Sequence, residues 1–486
     1  MQKIIADLHL HSKYSRATSP QMDLTGVAKW AKIKGVNLVG TADFTHPLWF
    51  RVLFAQLEEA SEGLYKLKGK KESPFFILSS EIACIYKDMG ATRRIHLNIL
   101  MPSLVSVKKL NERLVKIGNI HSDGRPILGI TAHALAKLAL VIDARALIIP
   151  AHIWTPWFSI YGSKSGYDSI DDCFKELTPQ ILAVETGLSA DPQMCWRVSE
   201  LDNFAIVSSG DSHSLPNLAR EATVFEITNG DKLSFNLIRK MLGEGSAKAR
   251  QRQATRFASP QGGQMGGSVQ VSSQTKPSKT RSSHLAYTIE FFPEEGKYHL
   301  SGHRKCQYKT DHCGQDTRHE KQGTSLFGRQ ANKSEIRNPK NNNIAISNIQ
   351  NLKSDLCPIC HKPLTLGVMY RVNQLADRPV GFKPRRAAPY KSLVQLDQII
   401  SESIGVGEKS LAVQKIYHQM IKNFGPELFI LEDLALTELK NKFDEKIIDG
   451  IERVRKADIY IDPGYDGEYG KVKIFQKFTS GQKMLF

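Results

Sequence analysis

A chain of 486 residues is too long for one hydrophobic core, so two or three domains are expected. Its 41% hydrophobic fraction excludes a disordered polymer, and its formal charge of +17 points to an anionic partner, nucleic acid or a membrane surface, unless the charge serves solubility alone. No run reaches the roughly 18 uninterrupted apolar residues of a membrane helix, the N-terminus lacks the apolar core of a signal peptide, and the seven cysteines form no secreted disulfide framework, so a cytoplasmic protein is expected.

From the N-terminus to about residue 243, short apolar runs alternate with amphipathic stretches. The periodicity predicts strands over Lys3–His9, Val36–Thr41, Phe75–Ser80, Ile95–Leu100, Ala146–Ala151, Ile181–Glu185, Phe204–Ser209 and Ala222–Ile227. It predicts helices over Leu24–Lys34, Leu48–Leu67 and Val105–Ile117. Repeated β-then-α order argues for an α/β fold with a parallel sheet, and this many units favours a barrel.

Polar residues of metal-ligating type recur at the ends of these runs. Asp7-Leu8-His9-Leu10-His11-Ser12 closes the first, and side chains alternate faces along a strand, so His9 and His11 point the same way as Asp7. An isolated pair of this kind is more often two surface histidines. Here it is followed by Asp43 and His46 after the second run, Glu81 after the third and His96 in the fourth. His152 ends the fifth, Glu185 the sixth, and Asp211 and His213 the seventh. At the carboxyl ends of barrel strands they would converge on one mouth, and neutral imidazoles with carboxylates suit zinc, manganese or iron. Trp154, Trp157, Phe158 and Tyr161, with Lys164, follow His152; they could stack an unpaired base or simply pack.

DLHLHS, the strand-end Glu, the spaced His residues and the late GDSH resemble the PHP (polymerase and histidinol phosphatase) domain over residues 1–243. The resemblance implies a distorted β/α barrel holding two or three divalent metals (Zn, Mn or Mg) for phosphoester hydrolysis. By motif, His9, His11, Glu81 and Asp211 would hold one metal and form the catalytic set. Glu81 would bridge to a second metal on His96 and His152. A third would take His213 with a ligand from Asp43 or His46. The chain departs from the family pattern at Asp43-Phe44-Thr45-His46, where T-D-H is usual, and at Tyr14-Ser15-Arg16, where a further His is usual.

Residues 244–284 are rich in Ser, Gln, Gly, Lys and Arg and read as a flexible basic linker. Residues 245–345 carry 17 Lys and Arg against 7 Asp and Glu, ten of the chain's net positive charges. In the region 285–380, His303-x-x-Cys306 and Cys357-x-x-Cys360 are two half-sites of a zinc ribbon holding one structural zinc, with His312 and Cys313 as competing ligands in a long inserted loop. Residues 381–486 read as a small helical domain. Its turn with Gly405, Gly407 and Lys409 resembles a helix-hairpin-helix, whose amides can meet a DNA phosphate; a plain glycine turn is the alternative.

EFFPEEGKYH followed by HRKC, CPIC and RVNQLADRP, behind a PHP domain, resembles the endonuclease Q family over nearly the whole chain. The resemblance implies a metal-dependent DNA repair endonuclease that incises 5′ of deaminated bases (uracil, hypoxanthine, xanthine) or abasic sites. Its partner would be such DNA and its location the cytoplasm, associated with the nucleoid; a repair nuclease can also associate with a sliding clamp, but the tail Gln482–Phe486 only loosely resembles a clamp-binding peptide. Two alternatives remain open here: a PHP-type phosphatase acting on a small phosphomonoester, and a non-catalytic nucleic-acid-binding protein.

Overall fold

The computed structural model describes residues 1–246, 282–311 and 355–475. The linker's 247–281, the insert holding His312 and Cys313, and the tail Gln482–Phe486 lie outside the described residues. In the first region the strands are β1 Gln2–Asp7, β2 Leu38–Gly40, β3 Leu57–Ser61, β4 Leu64–Leu67, β5 Phe75–Asp88, β6 Ala91–Met101, β7 Ile127–Leu128, β8 Leu147–Pro150, β9 Ala183–Glu185, β10 Ala205–Val207 and β11 Ala222–Ile227. After the basic stretch come β12 His284–Glu290, β13 Ser301–His303, β14 Tyr308–Thr310, β15 Tyr390–Ser392, β16 Tyr460–Asp462 and β17 Lys471–Lys473.

The result is a mixed α/β protein. Hydrogen bonds run continuously along β11-β1-β2-β5-β6-β8. Beyond β8 the circuit loosens. β8 lies against β9, which pairs in parallel with β10, and Thr223 Oγ1 on β11 donates to the Ser208 carbonyl just past β10. The predicted parallel sheet is thus mixed, because β6 runs antiparallel to both β5 and β8.

Most predicted elements appear, with edges shortened or lengthened by tertiary contacts. The helix Leu24–Lys34 has the expected bounds; Asp23 caps its start by accepting from Gly26 N, and Gly35 ends it in the left-handed region at φ 89°. The predicted helix Leu48–Leu67 is a correction. A helix covers Pro47–Gln56, and the chain then turns through Gly63 (φ 68°) into the β3–β4 hairpin. Tertiary pairing decides this, since β4 adds to β5 through Leu64 and Tyr65. The third run does not stop at Ser80: β5 continues to Asp88 and folds back as β6, so Glu81 and His96 sit inside a long hairpin.

The later regions are not separate from the first. β12 pairs antiparallel with β11, and β15 joins β12, so the sheet carries straight across the boundary expected near residue 285. The helices Leu396–Ile404 and Leu411–Phe424 flank the glycine turn, and Glu427 ties this bundle to the first region. Glu427 accepts from Lys34 Nζ (2.7 Å, both side chains 2% exposed), Tyr417 Oη and Leu396 N. Removing one partner of a buried pair strands the other charge. Lys34→Met is expected to lower stability by about 3–5 kcal/mol, read as a drop in the urea midpoint.

A second buried carboxyl lies where β12 meets the first region. Glu290 accepts from Ser208, Thr288 and Thr186 hydroxyls and is fully buried. Burial, reinforced by Asp191, pushes its pKa from 4.5 up to about 8. The folded state therefore keeps a proton that the unfolded chain releases above 4.5, so this contribution is full at low pH and drains as pH rises through 8. Glu290→Gln is expected to remove up to about 1.4 kcal/mol per pH unit of that loss between pH 6 and 8, measured by urea unfolding at both pH values.

Candidate metal centre and cleft

Six side chains from five segments converge near the ends of β1, β8 and β10 and the middle of the β5–β6 hairpin. His11 Nε2 lies 3.0 Å from Asp211 Oδ1 and 3.4 Å from Glu81 Oε2. His9 Nε2 lies 3.7 Å from Glu81 Oε1 and 3.9 Å from Asp211 Oδ1. On the other side of Glu81, His96 Nδ1 is 2.5 Å and His152 Nε2 3.1 Å from Oε1. Two donor groups result, His9/His11/Asp211 and Glu81/His96/His152, each with its ligand atoms within 4.8 Å of one another. Glu81 lies between them and touches both.

The residues behind these donors fix their orientation. His9 Nδ1 faces both oxygens of Glu185 at 3.0 and 3.1 Å, which turns Nε2 toward the cluster. Asp43 lies behind His11, with Oδ1 3.5 Å from Nδ1, while its Oδ2 accepts from Ser12 N and from the Ser12 and Ser15 hydroxyls. Three residues of this neighbourhood hold a strained backbone, with positive φ at Asp43 (41°), His152 (31°) and Asp211 (44°). Asp7 plays a different part from its neighbours. Its carboxylate accepts from Gly210, Ala219 and His9 amides, so it fastens β1 to the Asp211 loop, and burial pushes its pKa up to about 6.

The electrostatics fit a cation site. Burial would favour neutral His9 and His11, yet Glu185 and Glu81 around His9, and Asp211 and Asp43 around His11, hold both pKa values well above the ordinary range. Glu81 and Asp211 are driven well below theirs, despite burial, by the imidazoles and, at Glu81, by the Arg125 guanidinium as well. Burial lowers His96 to about 4, the neutral form a ligand needs. His9 Nε2 is buried without a hydrogen-bond partner and faces the carboxylate oxygens, as a ligand atom would.

Not every predicted residue joins the centre. His213 packs against His11 with the rings tilted at 42° and their centroids 4.3 Å apart, and it lines the cleft, its Nδ1 facing the Asp211 carbonyl. His46 is turned away: Nε2 meets the His121 carbonyl and the ring stacks on Tyr14. Among the described residues, no donor group unites His213 with Asp43 or His46, and Asp43 instead orients His11. Far along the chain, His303, Cys306, Cys357 and Cys360 form a third donor group, with Cys360 Sγ 3.4 Å from His303 Nδ1.

A cleft of about 480 Å³ opens above the centre, with His96, His152, Asp211 and His213 in its floor. Its walls bring Arg16, Arg125, Arg220 and Lys297 together with Trp157, Phe158, Tyr298 and Tyr469. Two aromatic expectations are corrected. Trp154 is 1% exposed, stacked on Tyr161 and donating to Cys195 Sγ, and Tyr161 is fully buried with its hydroxyl on Glu200, so neither can stack on a base. Lys164 donates to the Leu364 carbonyl and lines a different pocket, and none of Gly405, Gly407 and Lys409 lines the cleft. Sequence reasoning missed Arg125, whose guanidinium meets Glu81 Oε2 at 3.1 Å; nothing in Gly124-Arg125-Pro126 signals it. It also left Glu185 without a role, although its strand-end position matched that of the ligands.

Fold and site together define a mixed α/β protein with candidate metal-binding groups in the floor of a cationic cleft. The model of the MJ0043 C-terminal domain matches residues 395–458. The uncharacterized protein MJ0043 of Methanocaldococcus jannaschii is 29% identical over 66% of this chain and 31% of its own length. The uncharacterized protein YqxK of Bacillus subtilis is 32% identical over 49% of this chain and 62% of its own. The chain thus spans less than two thirds of either curated relative. Among solved structures, the lesion-specific endonuclease PfuEndoQ of Pyrococcus furiosus is 27% identical with a TM-score of 0.72, covering 97% of this chain and 95% of that one. An endonuclease Q in complex with a 27-mer duplex carrying an abasic lesion at its active site is 27% identical with a TM-score of 0.73, covering 99% of both chains. Over nearly its whole length the chain is similar in sequence and fold to endonuclease Q.

The burial of Trp154 generates a test. Trp154→Ala is expected to cost about 3–5 kcal/mol of stability, seen as a lowered denaturation midpoint, as for other large-to-small core changes.

Proposed function

We propose that this protein is a metal-dependent DNA repair endonuclease that hydrolyses the phosphodiester 5′ of a deaminated base (uracil, hypoxanthine or xanthine) or an abasic site. The observation that carries the reading is the six-donor cluster beneath cationic and aromatic walls, in a chain that overlays a lesion-bound endonuclease Q across its length. The strand circuit around the cluster suits a distorted PHP-type barrel. His303, Cys306, Cys357 and Cys360 suit a structural zinc, since a closed set of three thiolates and an imidazole leaves no open position for chemistry.

In this reading His9, His11, Glu81 and Asp211 hold one divalent ion, and Glu81, His96 and His152 a second. Ions bound there would acidify a water nucleophile and neutralise charge on the scissile phosphate. The chain's own residues do the rest. Glu185 and Asp43 keep the ligand nitrogens of His9 and His11 aimed inward. Arg125 faces the cleft beside Glu81 and would meet a phosphate oxygen; Arg16, Arg220 and Lys297 would hold flanking phosphates. Trp157 and Tyr298, ring centroids 5.6 Å apart in the cleft wall, would receive the extruded nucleotide, which cannot be inspected inside the stack.

The protein is expected to nick uracil-containing duplex in the presence of a divalent metal, one bond 5′ of the lesion. Asp211→Ala is expected to abolish nicking while duplex binding, followed by gel shift, persists. Absence of nicking on uracil, hypoxanthine and abasic substrates across Mg²⁺, Mn²⁺ and Zn²⁺ overturns the reading, and turnover of a small phosphomonoester instead would mark a phosphatase.

A further inference from the structure

The segment Asp123–Leu128 crosses the mouth of the cleft and offers a different side chain at every second residue. Asp123 Oδ2 holds Arg16 Nε at 3.3 Å, Arg125 reaches down to Glu81, and Ile127 stands 55% exposed in the cleft wall. An exposed isoleucine is ordinary on a protein surface. This one is set in a rigid frame. Its strand pairs in parallel with β5, Ala83 opposite Ile127, and Ala83 N donates to the Pro126 carbonyl at 3.0 Å. Ala83 lies two residues beyond Glu81 on one strand, so backbone hydrogen bonds hold Ile127 at a constant offset from the donor cluster. A β-branched side chain on a strand adds stiffness of its own, because few χ1 values are open to it.

We propose that Ile127 is the wedge that enters the base stack when a nucleotide is drawn into the cleft. The inference rests on the nuclease reading and assigns the duplex-opening step to one residue. Removing a nucleotide from a duplex leaves a gap into which its neighbours and the opposite base collapse. An apolar side chain inserted between base steps fills such a gap and offsets the unstacking cost. Ile127 has the required chemistry, since it is apolar, exposed and unable to hydrogen-bond the orphaned base. It also has the required setting, because Arg125 stands on the same segment and Asp123 holds Arg16 beside it, both lining the cleft where they can hold the backbone while the stack is open.

A wedge matters for a paired nucleotide and has no stack to enter in a single strand. The test is the ratio of nicking rates on uracil-containing duplex and on the same strand unpaired, for wild type, Ile127→Ala and Ile127→Leu. A ratio divides out any loss of folded protein. The alanine variant is expected to lower it about tenfold or more, and leucine to restore it. A 2-aminopurine beside the uracil reads extrusion without cleavage, in chelator: its fluorescence should rise when wild type binds and stay flat with bound Ile127→Ala. An alanine ratio within twofold of wild type, or an undiminished fluorescence rise, overturns the wedge. Wild type that nicks neither substrate with any metal overturns the nuclease reading instead, and the fluorescence then decides the wedge by itself.

Discussion

One carboxylate holds the centre together. Glu81, buried in the middle of β5, is reached by His9, His11, His96 and His152 and by the Arg125 guanidinium. A charge taken this far from water is tolerable only when opposite charge and hydrogen-bond donors surround it. The polypeptide meets that condition by bringing five separate stretches to one point. The β5–β6 hairpin supplies Glu81 and His96, β1 runs on into His9 and His11, and the ends of β8 and β10 lead to His152 and Asp211. Moving any one of these strands by a register step would turn its donor to the other face.

Support for that point extends outward in layers. Glu185 and Asp43 orient imidazoles, and Asp7 locks the Asp211 loop to β1 through backbone amides. Beyond them, the later regions are fastened to the first by buried polar contacts as well as by apolar packing. β12 and β15 extend the sheet, Arg371 donates to the Tyr161 and Tyr167 carbonyls, and Glu427 grips Lys34. The aromatic loop after His152 is held from both sides, with Trp154 and Tyr161 buried and Trp157 left facing the cleft opposite Tyr298 from the later region. The cleft therefore has walls from both halves of the chain, and its cations come from both.

The part of the site legible in the sequence was the part made of rare residue types at regular places. His9, His11, Glu81, His96, His152 and Asp211 all stood at or near the ends of apolar runs, and HRKC with CPIC announced a four-donor group across a long insertion. What was not legible had no local signature. Arg125 is one arginine among many, and only a strand pairing brings its loop to Glu81. Asp43 sat in the right place for a ligand but is used behind His11, a distinction of a few ångströms that no spacing encodes. The stretch after Gln56 has helical periodicity, yet pairing with β5 made it a hairpin.

By itself, the sequence determined the α/β alternation, the inventory of donors, the basic balance and the paired half-sites, because these depend on residue type and on periods of two and 3.6. Only the tertiary structure decided that the sheet is mixed, that it continues into β12 and β15, that Trp154 is core and Trp157 is wall, and that Ile127 stands at the rim. Those outcomes depend on contacts between residues far apart in the chain, where burial and strand pairing outweigh local preference.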